Sequence, residues 1–211
     1  QEKGYTDAGF TAYIAEKTAF PYSMIDKIVP GPSPNVQTYL KDCGFADTDY
    51  IKAGNSSYAL FVNSEAKEYL VIEDDFPNGR PPLEKAGVIF TDRETVNQCE
   101  RMKVGTCLNP LHTTLAVYGC LLGYVKIADE IGDPQLRGLA EKIGYDEGLP
   151  VAVNPGVLNP KAFIDELLQE RLPNPNVPDT PQRIASDTSQ KVGVRYGNTI
   201  KAYGEKAKNL K

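Results

Sequence analysis

Glu100-Arg-Met-Lys-Val-Gly-Thr-Cys-Leu-Asn-Pro-Leu-His112 runs without a break into Thr113-Thr-Leu-Ala-Val-Tyr-Gly-Cys-Leu-Leu-Gly-Tyr124. The second half is an apolar run bounded by His112 and Lys126. It is shorter than the roughly 20 residues a membrane crossing takes, so it reads as a core helix. Pro110 suits a first helical turn, and Asn109 precedes it as a capping residue, which aims Asn109 and His112 from a helix N-terminus. His112 is the sole histidine of the chain. Lys103, Asn109 and His112 thus offer a base, a neutral amide donor and an orienting ring at the mouth of a buried helix. These are the groups needed to take a proton from an alcohol and to stabilise the alkoxide during hydride transfer, so the stretch points to carbonyl and alcohol interconversion.

Outward from this stretch the pattern is helical almost throughout. Asp92 caps a helix predicted to run through Lys103. Further helices are predicted over Pro134 to Lys142, Pro160 to Leu172 and Pro181 to Val192, each opened by a proline behind Asp133, Asn159 or Thr180. A last one fits Tyr196 to Lys208. Toward the N-terminus, Phe10, Tyr13 and Ile14 give helical spacing within residues 5 to 17, and a short helix is expected from Asn35 to Cys43. Tyr58-Ala-Leu-Phe-Val62 and Glu68-Tyr-Leu-Val-Ile72 are β-prone and predict a two-stranded hairpin. Pro77 to Pro82 must be irregular. The expected fold is a mainly α domain with a small β-hairpin element.

Bulk properties bound the function. With 211 residues the chain can bury one substantial core, and 41% hydrophobic with 24% charged residues is a globular balance. A net charge of -5 supplies no basic stripe, which disfavours a nucleic-acid partner, and no run is long enough for a membrane partner. Cys43, Cys99, Cys107 and Cys120 follow neither paired metal spacing nor a disulfide framework, so reduced thiols in a cytoplasmic protein and no metal are expected. A Gly-rich strand-turn-helix fingerprint for a dinucleotide is absent. The chain opens Gln1-Glu-Lys-Gly-Tyr-Thr without an initiator Met or a signal-peptide pattern, and is read as the C-terminal part of a longer protein.

The Lys103…Asn109-x-x-His112 stretch resembles the signature of the polyol-specific long-chain dehydrogenases, also called the mannitol dehydrogenase family. Ser23-Met-Ile-Asp-Lys-Ile-Val-Pro30 and Ile72-Glu-Asp-Asp-Phe-Pro-Asn-Gly-Arg-Pro81 are similar to two further family segments. Asn174-Pro, Asp179-Thr, Arg183-Ile and Asp187-x-Ser-x-Lys191 follow in the family's order. The resemblance implies a helical C-terminal dehydrogenase domain of the 6-phosphogluconate dehydrogenase C-terminal-like kind, spanning residues 1–211. It also implies NAD or NADP as cofactor, held by the domain's own N-terminal Rossmann-type partner, which is not in this chain. The implied substrate is a sugar acid or polyol. Gly79 to Gly87 and Cys107 to His112 look most like hexuronate-reducing members, which act on fructuronate or tagaturonate. Carried over residue by residue, Lys103 is the implied base, Asn109 stabilises the oxyanion with an asparagine from the absent part, and His112, Asp26, Arg183 and Lys191 hold substrate. Arg80 is expected to be structural.

The family pattern places the lysine five residues before the asparagine, whereas Lys103 precedes Asn109 by six. One extra helical residue rotates a side chain by about 100°. Either the backbone absorbs it as a π-type bulge, or Lys103 is not the base. Arg183 and Lys191, eight apart, would lie on nearly one face of a continuous helix. Two other functions fit the sequence: a mannitol or polyol 2-dehydrogenase domain, and a non-catalytic helical interaction domain in which these residues are passengers.

Overall fold

The computed structural model describes residues 3–54 and 56–208. The first helix, α1 (Ala8–Lys17), is capped by Asp7, whose carboxylate accepts from the Phe10 N–H, and none of its residues is buried. Strand β1 (Ser23–Asp26) alternates, turning Met24 and Asp26 inward. Helix α2 (Pro34–Asp42) follows, then a hairpin of β2 (Ile51–Ala53) and β3 (Ser56–Tyr58). Strands β4 (Tyr69–Glu73) and β5 (Ile89–Thr91) complete a second sheet in the order β1-β4-β5. In it β4 lies antiparallel to β1 and parallel to β5, with Met24 opposite Val71 and Asp26 opposite Tyr69.

The predicted pairing of Tyr58–Val62 with Glu68–Ile72 does not form. Residues 63–65 turn inward instead: Asn63 and Glu65 are buried, and the Glu65 N–H donates to the Ile28 carbonyl just beyond β1. That folds the intervening chain along the β1 segment, and β4 takes β1 as its partner.

From residue 92 the chain is helical with three π-turns. Asp92 caps α3 (Arg93–Met102), its carboxylate accepting from the Thr95 N–H at 2.9 Å. A π-turn over Lys103–Cys107 leads into α4 (Asn109–Leu122). Helix α5 (Ile127–Glu130) is one turn, and α6 (Pro134–Glu141) starts on the Asp133 cap and passes into a second π-turn, Lys142–Gly148. Helix α7 (Pro160–Glu166), capped by Asn159, passes into a third, Leu167–Arg171. The last described elements are α8 (Pro181–Ala185), α9 (Thr188–Arg195) and α10 (Gly197–Lys208).

Two boundaries differ from the sequence reading. Asn109 is the first residue of α4 and does not cap it, because the π-turn runs directly into the helix: the Leu108 N–H donates to the Lys103 carbonyl and the His112 N–H to the Leu108 carbonyl, both at 3.0 Å. The helix expected over Pro181 to Val192 is two helices. Ser186 is extended and Asp187 is left-handed at φ +55°, so Arg183 and Lys191 do not share one continuous helix face. Short polar residues supply the local hydrogen bonds that compensate such a break, and the Ser186 hydroxyl donates to the Arg183 carbonyl.

The core forms where α3 and α4 meet the sheet and the later helices. Met24, Val71, Cys99, Met102, Cys107, Leu111, Ala116, Ile164 and Leu167 are all fully buried. Each large apolar side chain so placed contributes about 1.5–3 kcal/mol relative to exposure. Only the first part of the apolar run is core, however. At the end of α4, Tyr118, Leu121 and Leu122 are exposed.

Candidate active site

The site is assembled around the start of α4. The π-turn adds one residue to the circuit between Lys103 and Asn109, the bulge that a six-residue interval requires if Lys103 is to stay on the working face. Lys103 Nζ donates to the Ile25 carbonyl at 2.7 Å and lies 3.8 Å from Asp26 Oδ1. An ammonium has three donors, so one direction stays free for a ligand.

Asp26, at the end of β1, is buried. Its Oδ2 accepts from Arg171 Nη1 at 2.7 Å, and Arg171 also forks onto Glu65 with contacts of 2.9 and 2.7 Å. Glu65 Oε1 in turn accepts from the Ile28 N–H at 2.5 Å. Asp26, Glu65 and Arg171 are 3–4% exposed, which makes this a buried ion triad rather than a solvated edge. Burial opposes the charge on Arg171, but the hydrogen bonds it donates to Glu65 and Asp26 outweigh this and raise its pKa further above the usual range. Beside the triad, Tyr69 donates to Glu166 at 2.9 Å; its phenol is pushed up to about 12, first by burial and then by that bond.

A second cluster surrounds His112. Its Nε2 is 3.2 Å from Asp179 Oδ2, within ion-pair range but off the axis of a hydrogen bond, so both buried atoms lack a hydrogen-bond partner. Asp179 Oδ1 accepts from Arg183 Nε at 2.8 Å and Nη2 at 2.6 Å. Burial alone would raise the Asp179 carboxyl; His112 and Arg183 together overcome this and hold it below its ordinary value. Lys191 Nζ reaches back to the carbonyls of Ile184 and Ser186, closing the end of α8. The start of α4 is pinned from outside: Tyr196 bonds the Thr114 hydroxyl and donates to the Pro110 carbonyl, and Arg195 donates to the Thr113 hydroxyl.

The predicted site residues therefore fall into groups. Lys103 and Asp26 are adjacent. His112 and Arg183 are joined through Asp179, and Lys191 sits at the α8–α9 junction. Asn109, half-buried, opens the helix between Lys103 and His112. Arg80 binds Asp74 and Glu84 and stacks on Phe90, holding the proline-rich loop. An apolar hollow of about 290 Å³ behind the π-turn, lined by Thr106, Pro110, Ile143, Tyr196 and others, includes none of the six. Cys99 and Cys107 are buried with thiols pushed up to about 11, mainly by burial, so neither is a nucleophile near neutral pH. Among the described residues no group of three or more His, Cys, Asp or Glu side chains gathers as metal ligands.

Arg171, Glu65 and Glu130 were not singled out in the sequence. In the mixed stretch Ile164 to Leu172, which also carries Asp165, Glu166 and Glu170, nothing local marks Arg171 as the buried charge. Glu130 is fully buried against Gly119, where an added Cβ would lie 2.0 Å from its Oε1, and neither carboxylate oxygen has a hydrogen-bond partner.

A nicotinamide would need a cradle for its pyrophosphate. The described residues hold one parallel strand pair, β4–β5, joined by the proline-rich loop and a single 3-10 turn at Leu83–Ala86, and no helix N-terminus follows a Gly-rich turn there. That part of a cofactor does not fit this chain.

Known proteins resemble this chain in sequence and fold. A D-mannonate oxidoreductase from Thermotoga maritima is 55% identical over 208 residues, covering 97% of this chain and 38% of its own length. A polyol:NADP oxidoreductase from Gluconobacter oxydans is 33% identical, covering 92% of this chain and 37% of its own. The chain thus spans well under half the length of these relatives. Among solved structures, a substrate-free D-sorbitol dehydrogenase superposes with a TM-score of 0.80 at 30% identity, over 95% of this chain and 39% of the other. Pseudomonas fluorescens mannitol 2-dehydrogenase, in a ternary complex with NAD and D-mannitol, gives 0.73 at 28% identity, over 92% and 37%. Residues 95–210 match the mannitol dehydrogenase C-terminal domain, and the chain belongs to that family.

Proposed function

We propose that this chain is the substrate-binding and proton-handling part, residues 1–211, of a cytoplasmic oxidoreductase that interconverts a keto-hexuronate and its hydroxy acid. The nicotinamide, NAD or NADP, is held by an N-terminal dinucleotide-binding domain outside this chain and supplies the hydride acceptor and donor when bound. The observation that carries the reading is Lys103, held by a π-turn beside Asp26 and the Ile25 carbonyl with one N–H direction free. The 55% identity to a D-mannonate oxidoreductase supports the hexuronate class.

In the oxidation direction Lys103, as the neutral amine, accepts the hydroxyl proton as the carbinol C–H leaves as hydride. In reduction its ammonium returns that proton to the forming alkoxide, so no metal is needed for the proton step. Asn109 donates its amide to the oxyanion, as does an asparagine of the N-terminal domain. His112 orients the substrate, Asp26 accepts from its hydroxyls through Oδ1, and Arg183 and Lys191 bind the carboxylate with the donors left to them. The partners are this substrate and the N-terminal domain, with no role for nucleic acid or membrane. Among the described residues no helix is long and apolar enough to cross a membrane.

The test is Lys103→Ala in the full-length protein. The hydride-transfer step should slow by orders of magnitude with the thermal melt unchanged, and an added primary amine should restore part of it. Near-normal turnover would remove Lys103 from the site.

A further inference from the structure

The buried triad beside Lys103 carries more charge than substrate binding requires. Asp26 shows Oδ1 to Lys103 while Oδ2 is held by Arg171, and the same guanidinium is forked onto Glu65. Three elements far apart in sequence supply it: the end of β1, the inward loop at residue 65, and the third π-turn. With Lys103 the cluster holds two cations and two carboxylates and is neutral as drawn. In a low-dielectric setting each member sets the potential at the others, so a change of one charge is felt at Lys103 across the triad.

We propose that Arg171 and Glu65 are positioning residues for the reaction: their ion pair fixes the orientation of Asp26 beside Lys103 and the net charge around it, and so sets the pH at which Lys103 can take the substrate proton. Neither residue touches substrate in this scheme. Each acts through Asp26. Arg171 restrains the carboxylate with a single short contact, and the Glu65 fork fixes the guanidinium plane, with the Ile28 N–H fixing Glu65 in turn. The other titratable groups around the cluster include the neutral Tyr69 phenol on β4, Glu166 at the end of α7, Lys67 bridged to Glu166, and Glu170 on the π-turn. They are common to every variant below, so they cancel in the comparison.

This inference rests on the reading of Lys103 as the base. The experiment is the pH dependence of kcat/KM for mannonate oxidation by the full-length enzyme in a charge series, with folding followed by circular dichroism and thermal melting. Glu65→Gln removes a negative charge and destabilises the Lys103 ammonium, so the rising limb should move to lower pH, by about one unit for a unit charge several Å away. Arg171→Met should move it to higher pH by a similar amount. Because Arg171→Met strands two buried carboxylates and threatens folding, the balanced double variant Arg171→Met/Glu65→Gln is made beside it; its limb should return to the wild-type position while kcat falls, since the net charge around Lys103 is as before but Asp26 is no longer clamped. A purely structural role would lower activity or stability without shifting the limb in opposite directions. Limbs that stay at the wild-type pH, or that move the same way in Glu65→Gln and Arg171→Met, overturn the proposal. If instead Lys103→Ala keeps both the limb and normal turnover, it is the functional reading that fails.

Discussion

At the scale of single residues, two buried carboxylates packed on α4, Asp179 beside His112 and Glu130 against Gly119, behave in contrasting ways. Asp179 has cationic neighbours and is held below its ordinary range, so its contribution to stability is present above the unfolded carboxylate value and is lost as pH falls through its lower folded value. Glu130 has none. Burial, then repulsion from Asp129 and Asp179, pushes it up to about 7. For an acid raised in the folded state the sign reverses: the unfolded chain ionises near 4.5, the folded one only near 7, so stability falls as pH rises through that window. The shift corresponds to a loss of up to about 3 kcal/mol. Glu130→Gln cannot ionise, so the stability difference between wild type and variant, from chemical denaturation, should change by that order between pH 4.5 and 8 in favour of the variant at high pH. Parallel pH profiles would mean that Glu130 is solvated or paired.

At the scale of elements, the π-turns connect sequence to chemistry. Lys103–Cys107 and Lys142–Gly148 pack on each other through Gly148, where an added Cβ would stand 3.0 Å from the Ile143 carbonyl oxygen and 3.2 Å from that of Thr106. Backbone cannot yield as a flexible side chain can, so Gly148→Ala should cost about 1–3 kcal/mol by denaturant unfolding and disturb the turn that aims Lys103. An unchanged midpoint would show that the second π-turn is free to relax. The extra residue between Lys103 and Asn109 was legible as a spacing anomaly, and its resolution as a π-turn follows from i to i+5 bonding at that position. The break at Ser186–Asp187 was not legible, because an isolated Ser-Asp step inside an otherwise helical pattern carries no proline or glycine to mark it. Nor was the strand pairing. Tyr58–Val62 has the composition of a strand, but the chain after it turns inward at Glu65, whose partner Arg171 lies 106 residues away and is marked by no local pattern.

At the scale of the whole molecule, what the local pattern could reach was the helical class, the caps at Asp92, Asp133 and Asn159, and the grouping of Lys103, Asn109 and His112 at one helix start. Long-range polar partners were out of reach, since Asp26, Glu65 and Arg171 become a site only when the fold closes. The closed fold is a family domain whose relatives are more than twice its length. The central proposal is that the full-length protein acts on a hexuronate, with Arg183 receiving the carboxylate. The most direct measurement is kcat/KM of the full-length protein for fructuronate, tagaturonate, fructose and mannitol, in wild type and Arg183→Met. The account predicts the highest value for a hexuronate. A charge-assisted contact worth about 1.5–3 kcal/mol should make the substitution at least about tenfold more costly for that substrate than for fructose. Highest values for fructose and mannitol, with an equal penalty on both classes from Arg183→Met, would contradict it and leave a polyol dehydrogenase.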